Sequence, residues 1–287
     1  MPTLEQYKEE ICHIGDRLYK RGFAAANDGN ITYRIGENEV LCTPTLTCKG
    51  FLKPEDICLI DMQGNQLAGV KKRTSEALLH LEIMQARADV KSVVHCHPPH
   101  ATAFAVAHEA VPSCVLPEIE FYLGNVPISK YETPGTKKFA ETILPFVNRA
   151  YVIILANHGT VSYGETVERA YWRTEALDAS CEIFLLAKQI GRLQFLSSEH
   201  TWELIEAKKT WGIADPRHDP RYRDSDLFVD DVYRETWNDS GVTTGAFGAP
   251  AWSRAATERS NGAPPPLDDA TIERIAERVA AKLRQAN

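Results

Sequence analysis

The run Ser92-Val93-Val94-His95-Cys96-His97-Pro98-Pro99 constrains the fold more than any other stretch of the chain. Two β-branched residues ahead of the histidines predict a strand. Two prolines predict its end, because proline has no amide hydrogen to give to a ladder. Alternate side chains on a strand face opposite ways, so His95 and His97 share one face and Cys96 takes the other. Two imidazoles side by side at a strand end are either a hydrogen-bonded pair or half of a metal site.

The surrounding pattern predicts an α/β domain with a central sheet. Leu4, Tyr7, Ile11, Ile14 and Leu18 recur at helical spacing, so residues 3–22 read as a helix that Gly22 can end. Asp28-Gly29-Asn30 reads as a tight turn into a strand at Ile31–Ile35, and Val40–Cys42 and Ile57–Ile60 read as further strands. Asp61–Asn65 is a turn. Thr74 or Ser75 is placed to cap a helix that runs to Arg87. A helix over 135–147, a strand over Tyr151–Leu155 that ends at Asn157-His158-Gly159, and a helix over 165–190 complete a domain assigned to residues 1–212.

Composition then changes. Residues 213–236 are crowded with Asp and Arg, and residues 237–266 are rich in Gly, Ala, Ser, Thr and Pro, so 213–266 reads as an extension and flexible linker. Residues 267–287 carry a short amphipathic helix with Ile272, Ile275, Val279 and Leu283 on one stripe. A segment this short forms a weak helix alone, so the stripe is expected to seek a partner groove.

Bulk properties exclude some function classes. A net charge of -7 and a pI near 5.8 argue against a nucleic-acid partner. No apolar run approaches the roughly 20 residues of a membrane span. The start Met1-Pro2-Thr3-Leu4 does not read as a signal peptide, and seven scattered cysteines with no CxxC predict reduced thiols in a cytoplasm.

Five pieces stand in order along residues 5–212: Gly29-Asn30, Thr43-Pro44-Thr45, Thr74-Ser75-Glu76, His95-Cys96-His97 and Asn157-His158-Gly159. In order and spacing they resemble the class II (metal-dependent) sugar-phosphate aldolase and adducin-like family, and fuculose-phosphate aldolase most of all. The resemblance implies a mostly antiparallel sheet flanked by helices. It implies that His95, His97 and His158 hold a divalent cation, most often Zn2+, with an open coordination position for substrate. Glu76 would be the acid/base that moves a carbon-bound proton while the cation polarises a hydroxyketone. Gly29, Asn30, Thr45, Thr74 and Ser75 would bind the substrate phosphate, since small hydroxyls, an amide and backbone N–H groups make an anion cradle. His100 is a rival ligand, which Pro98-Pro99 takes out of the strand alternation.

The implied activity is cleavage of a ketose 1-phosphate, L-fuculose or L-rhamnulose 1-phosphate, to dihydroxyacetone phosphate and lactaldehyde. A 4-epimerase, a decarboxylase and a non-catalytic adducin-like module are the alternatives. A homotetramer is implied, with sites between subunits. The tail resembles the encapsulation peptides of bacterial microcompartment enzymes, which implies shell proteins as partners. Two departures stand out. Many relatives have glycine where this chain has Leu46 after Thr43-Pro44-Thr45, and a positive φ there would strain a leucine. The tyrosine that protonates the aldehyde oxygen has no clear counterpart between Pro112 and Gly124, where Glu118 and Tyr122 are the candidates.

Overall fold

The structure is a computed structural model and describes residues 2–219 and 241–248. The chain begins with helix α1 (Leu4–Lys20), closed at its start by a reciprocal pair of hydrogen bonds between Thr3 and Gln6. Strands β1 (Asn30–Arg34), β2 (Val40–Cys42), β3 (Cys58–Ile60) and β4 (Gln66–Ala68) follow as a meander. Helix α2 (Ala77–Ala86) leads into β5 (Ser92–Cys96), then α3 (Pro99–Ala107) and α4 (Pro117–Tyr122). Strand β6 (Ile128–Ser129), the short helix α5 (Lys137–Glu141) and strands β7 (Val152–Leu155) and β8 (Gly159–Gly164) complete the sheet. Helices α6 (Val167–Ile190) and α7 (Ser198–Thr210) close the domain.

The eight strands lie in the order β4-β3-β2-β1-β5-β8-β7-β6. Every neighbouring pair is antiparallel except β6–β7. Alternation along β5 divides the core. Val93 packs with Leu79, Leu81 and Ile83 of α2 and Phe139 of α5. Val94 and Cys96 pack on the opposite face with Ile11, Ile14 and Leu18 of α1 and Ala170 and Tyr171 of α6. The expected split between His95 and Cys96 follows: His95 lies on the face covered by α2, and Cys96 is core.

Some expectations are corrected. The helix predicted over 135–147 is helical only at Lys137–Glu141, and the residues to 149 form turns. Pro145 explains this, because its ring disfavours helical geometry in the residue before it. Neither Thr74 nor Ser75 caps α2 in the predicted way. The cap position is Glu76, and the Thr74 hydroxyl accepts from the Glu76 N–H at 3.3 Å.

The packed chain also continues beyond Gly212. Arg217 is fully buried and bonded to Glu120 and Asp215 at 2.8 Å each, and Lys208 reaches Asp215 at 2.6 Å. The Asp/Arg-rich composition after Gly212 suggests solvated charge, yet here two cations and two carboxylates compensate each other and tie the end of α7 to α4. Residues 241–248 pack too. Glu109 accepts from the Thr243 hydroxyl at 2.6 Å and from the Ala246 N–H at 2.8 Å, and Phe247 stacks on Phe104. The docking helix expected at 267–287, with Ile272, Ile275, Val279 and Leu283, lies outside the described residues.

Candidate active site and metal centre

Strand register assembles the site. On the β1–β5 ladder Asn30 pairs with His95, and on the β5–β8 ladder Cys96 pairs with Thr160. Antiparallel pairing therefore sets the end of β5 beside the starts of β1 and β8. Gly29-Asn30 and His158, distant in the chain, are brought to His95 and His97 in this way. Gly29 has φ +74°, and a Cβ there would meet the His95 carbonyl oxygen at 2.9 Å, so only glycine lets the turn approach β5 this closely. Glu76, at the N-terminal end of α2, comes down onto the face of β5 that carries His95.

The three imidazoles form one cluster, with candidate ligand nitrogens all within 4.8 Å of one another. His95 Nε2 lies 3.2 Å from His97 Nε2. Glu76 joins them, with Oε2 at 3.3 Å from His95 Nε2 and Oε1 at 3.6 Å from His158 Nε2. His95 Nδ1 donates to the Thr160 carbonyl at 2.9 Å, so a neutral ring carries a bare lone pair on Nε2. The His97 Nδ1 faces the Asp28 carboxylate at 3.3 Å, which selects the same tautomer. Burial, and then the neighbouring His158 and His97, holds the His95 pKa well below the ordinary imidazole value. Burial lowers that of His158 as well. Two bare nitrogen lone pairs and a carboxylate converging at these distances repel one another unless a proton or a metal cation lies between them. A donor set of three imidazole nitrogens with a carboxylate beside it suits zinc or a similar divalent ion.

The cluster stands at the wall of a pocket of about 220 Å3. The same pocket is lined by Gly29, Asn30, Thr45, Thr74 and Ser75, so all five expected phosphate residues and all four chemical residues share one cavity. Asn30 donates from Nδ2 to Glu76 Oε2 at 2.7 Å, while its buried Oδ1 has no partner among the described residues. An orphaned buried acceptor is expensive and calls for a ligand donor. Leu46 is also at the pocket, 81% exposed, with φ +52°. The left-handed conformation expected of a glycine is thus kept by a leucine, at a cost of roughly 1–2 kcal/mol.

His100 is not in the cluster. Its ring and backbone N–H both bond Asp178, a buried carboxylate that caps the start of α3. Glu118 and Tyr122 are exposed on α4 and do not line the pocket. Sequence reasoning misses two residues of the site. Asp28 reads only as part of a turn, and the Cys48-Lys49-Gly50 context of Lys49 carries no motif. Lys49 lines the pocket and is 1% exposed.

Residues 9–185 match the Class II Aldolase and Adducin N-terminal domain. The chain belongs to this family. An L-fuculose phosphate aldolase of Methanococcus maripaludis is 33% identical over 182 residues, covering 63% of this chain and 96% of the relative. A 3-oxo-tetronate 4-phosphate decarboxylase of Haemophilus influenzae is 32% identical over 201 residues, covering 69% of this chain and 95% of the relative. A solved L-fuculose 1-phosphate aldolase superposes with a TM-score of 0.66 at 26% identity, over 71% of this chain and 96% of that one. This class II aldolase-family chain is accordingly an enzyme, a lyase. Among its described residues no helix is long and apolar enough to cross a membrane.

Proposed function

We propose that this enzyme is a metal-dependent aldolase that cleaves L-fuculose or L-rhamnulose 1-phosphate to dihydroxyacetone phosphate and lactaldehyde. One observation carries the reading: the three histidines, Glu76 and the five anion-cradle residues line a single pocket. His95, His97 and His158 are the residues that would hold the cation. When bound, a divalent ion supplies Lewis-acid stabilisation of negative charge developing on the substrate oxygens.

The protein groups do the rest. Gly29, Asn30, Thr45, Thr74 and Ser75 offer backbone N–H groups, an amide and hydroxyls to the phosphate, and the exposed peptide groups at the start of α2 favour an anion. Held there, the sugar's reacting carbons face Glu76. In the direction of cleavage the hydroxyl on the aldehyde-forming carbon gives up its proton as the carbon–carbon bond breaks, and Glu76 delivers a proton to the other carbon, so that no net proton is gained or lost. In the direction of condensation Glu76 removes that proton from dihydroxyacetone phosphate. The pocket walls, with His95 and Asn30 buried, limit the water that could compete for it.

The test is a coupled assay for dihydroxyacetone phosphate over a panel of ketose phosphates, with the enzyme loaded with a divalent cation. Turnover of L-fuculose or L-rhamnulose 1-phosphate is expected, and failure with every ketose 1-phosphate would remove the aldolase reading. The similarity to a 3-oxo-tetronate 4-phosphate decarboxylase supports a second reading, in which the same pocket breaks a bond to a carboxylate. Carbon dioxide release from a 3-oxo acid phosphate tells the two apart. The proposal extends to a homotetramer, measurable by sedimentation, because the pocket holds no tyrosine of its own among the lining residues while Tyr122 is exposed elsewhere.

The proposal that residues 267–287 dock the enzyme inside a microcompartment rests on the sequence pattern of Ile272, Ile275, Val279 and Leu283. Residues 260–287 fused to a fluorescent protein are expected to form puncta in cells making shells. Fluorescence that stays diffuse, and does not respond to Ile275→Glu, would count against targeting.

A further inference from the structure

Lys49 is a buried cation for which the reaction outlined above has no use. Its ammonium donates to the carbonyl oxygens of Asn27 at 2.9 Å and Thr47 at 2.6 Å. Those carbonyls belong to two different loops of the pocket, the one that leads to Gly29-Asn30 and the one that follows Thr43-Pro44-Thr45. Its own backbone is locked in place, because α1 runs so close that a Cβ on Gly15 would meet the Lys49 carbonyl oxygen at 2.5 Å. No carboxylate lies within ion-pair distance of Lys49 among the described residues, and an ammonium has three hydrogens to donate while these two carbonyls take two.

Burying an ammonium against neutral acceptors alone is costly, and here burial pulls its pKa from 10.5 down to about 8. A glutamine or methionine would fill the space at less cost. The charge count of the pocket suggests what the lysine is for. A divalent cation on the three histidines would balance the carboxylates of Asp28 and Glu76, and Lys49 is the only lysine or arginine among the lining residues left to meet a further anion. A phosphorylated substrate brings further negative charge into the same 220 Å3. Thr45, Thr74, Ser75 and backbone N–H groups can donate hydrogen bonds to it, but they carry no compensating charge.

We propose that Lys49 is the positioning residue for the substrate's anionic group, bracing the two cradle loops against each other and supplying the positive charge that makes the pocket select phosphorylated over neutral sugars. The proposal rests on the sugar-phosphate reading of this pocket. It assigns Lys49 to substrate binding and leaves the chemistry at Glu76 untouched, so its loss raises KM and leaves kcat nearly alone.

The experiment uses the full-length, metal-loaded enzyme and the variants Lys49→Gln and Lys49→Met. Glutamine can still donate to carbonyl oxygens but carries no charge, so it separates the charge from the brace. Three readings are taken: kcat and KM for the ketose 1-phosphate, the same for the unphosphorylated ketose, and the inhibition constant and melting-temperature shift produced by inorganic phosphate. KM for the phosphorylated sugar and the phosphate inhibition constant are expected to rise about tenfold or more in both variants, the size of one lost interaction with a charged group. In Lys49→Gln, which keeps a donor for the brace, constants for the unphosphorylated sugar should change far less than those for the phosphorylated one. A folded Lys49→Gln enzyme with wild-type KM and wild-type phosphate inhibition would overturn the assignment, even where Lys49→Met fails to fold, since that failure speaks only to the brace. Failure of the underlying reading looks different: the wild-type enzyme itself would then show no preference for the phosphorylated sugar.

Discussion

Replacing His97 with alanine is expected to abolish both bound metal and turnover. His97 is the best ligand to remove, because its side chain is 27% exposed whereas that of His95 is 1% exposed and would leave a hole in the core. The ring stands at the end of β5, outside the ladder, where it meets the other imidazoles and Asp28 and packs against Gly159. Loss of a partner that merely orients a ligand costs about 10–100-fold in metal affinity, so loss of one of three nitrogen ligands should cost more. Metal content after dialysis, read by atomic emission, should fall from about one ion per chain, the stoichiometry of a single site, to background. The thermal unfolding midpoint of the metal-stripped protein should change little. A His97→Ala enzyme that is metal-free and fully active would end the metal-site hypothesis.

Glu76→Gln should separate proton transfer from metal binding. The amide has nearly the shape of the carboxylate, so the Asn30 Nδ2 donor keeps an acceptor and α2 keeps its start. The three imidazoles remain to hold the cation. What disappears is a group able to take and return a proton, a contribution typically worth about 10²–10⁴-fold. The cleanest reading is exchange of the carbon-bound proton of dihydroxyacetone phosphate with deuterated solvent in the absence of aldehyde, because that step needs neither the second substrate nor bond formation between carbons. Exchange and turnover should fall together while metal content stays at the wild-type level. Exchange within a factor of a few of wild type would place the base at another residue.

Both variants act on groups that the amino-acid sequence makes visible. The His95-Cys96-His97 alternation reports a strand face directly, because the two-residue period of a strand is a local geometric fact. Helix α1 is legible for the same kind of reason, with Ile11, Ile14 and Leu18 recurring at helical spacing and being buried as that spacing requires. Leu46 shows that an irregularity can be read too. An absent glycine flags a positive φ, and the leucine adopts it. Elements shaped by their surroundings are harder to read. Helices α3, α4 and α7 give no clear signal in the chain. The first two begin directly with proline, which marks a strand end as readily as the first turn of a helix. The residues after Gly212 read as solvated because the sign and number of charges say nothing about whether opposite charges will meet. Arg217 meets the Glu120 carboxylate from 97 positions away, and Lys208 meets the Asp215 carboxylate and the Glu120 carbonyl oxygen, the latter 88 positions away.

The sequence by itself determined which chemical groups this protein has and which of them share a local face: two histidines on one side of a strand, a glutamate at a helix start, a glycine at a turn. Those follow from backbone periods and side-chain chemistry, which act over a few residues. Only the tertiary structure decided that the groups meet. The antiparallel register of β1, β5 and β8 carries Asn30, His95 and His158 together at one end of the central strands, and packing of α2 on the Val93 face lowers Glu76 onto them. It also decided what no motif announced, that Lys49 is buried between two loops of the pocket with its charge unmatched. Burial and charge balance belong to the whole packed molecule, since each is set by what residues distant in the chain bring to the same small volume.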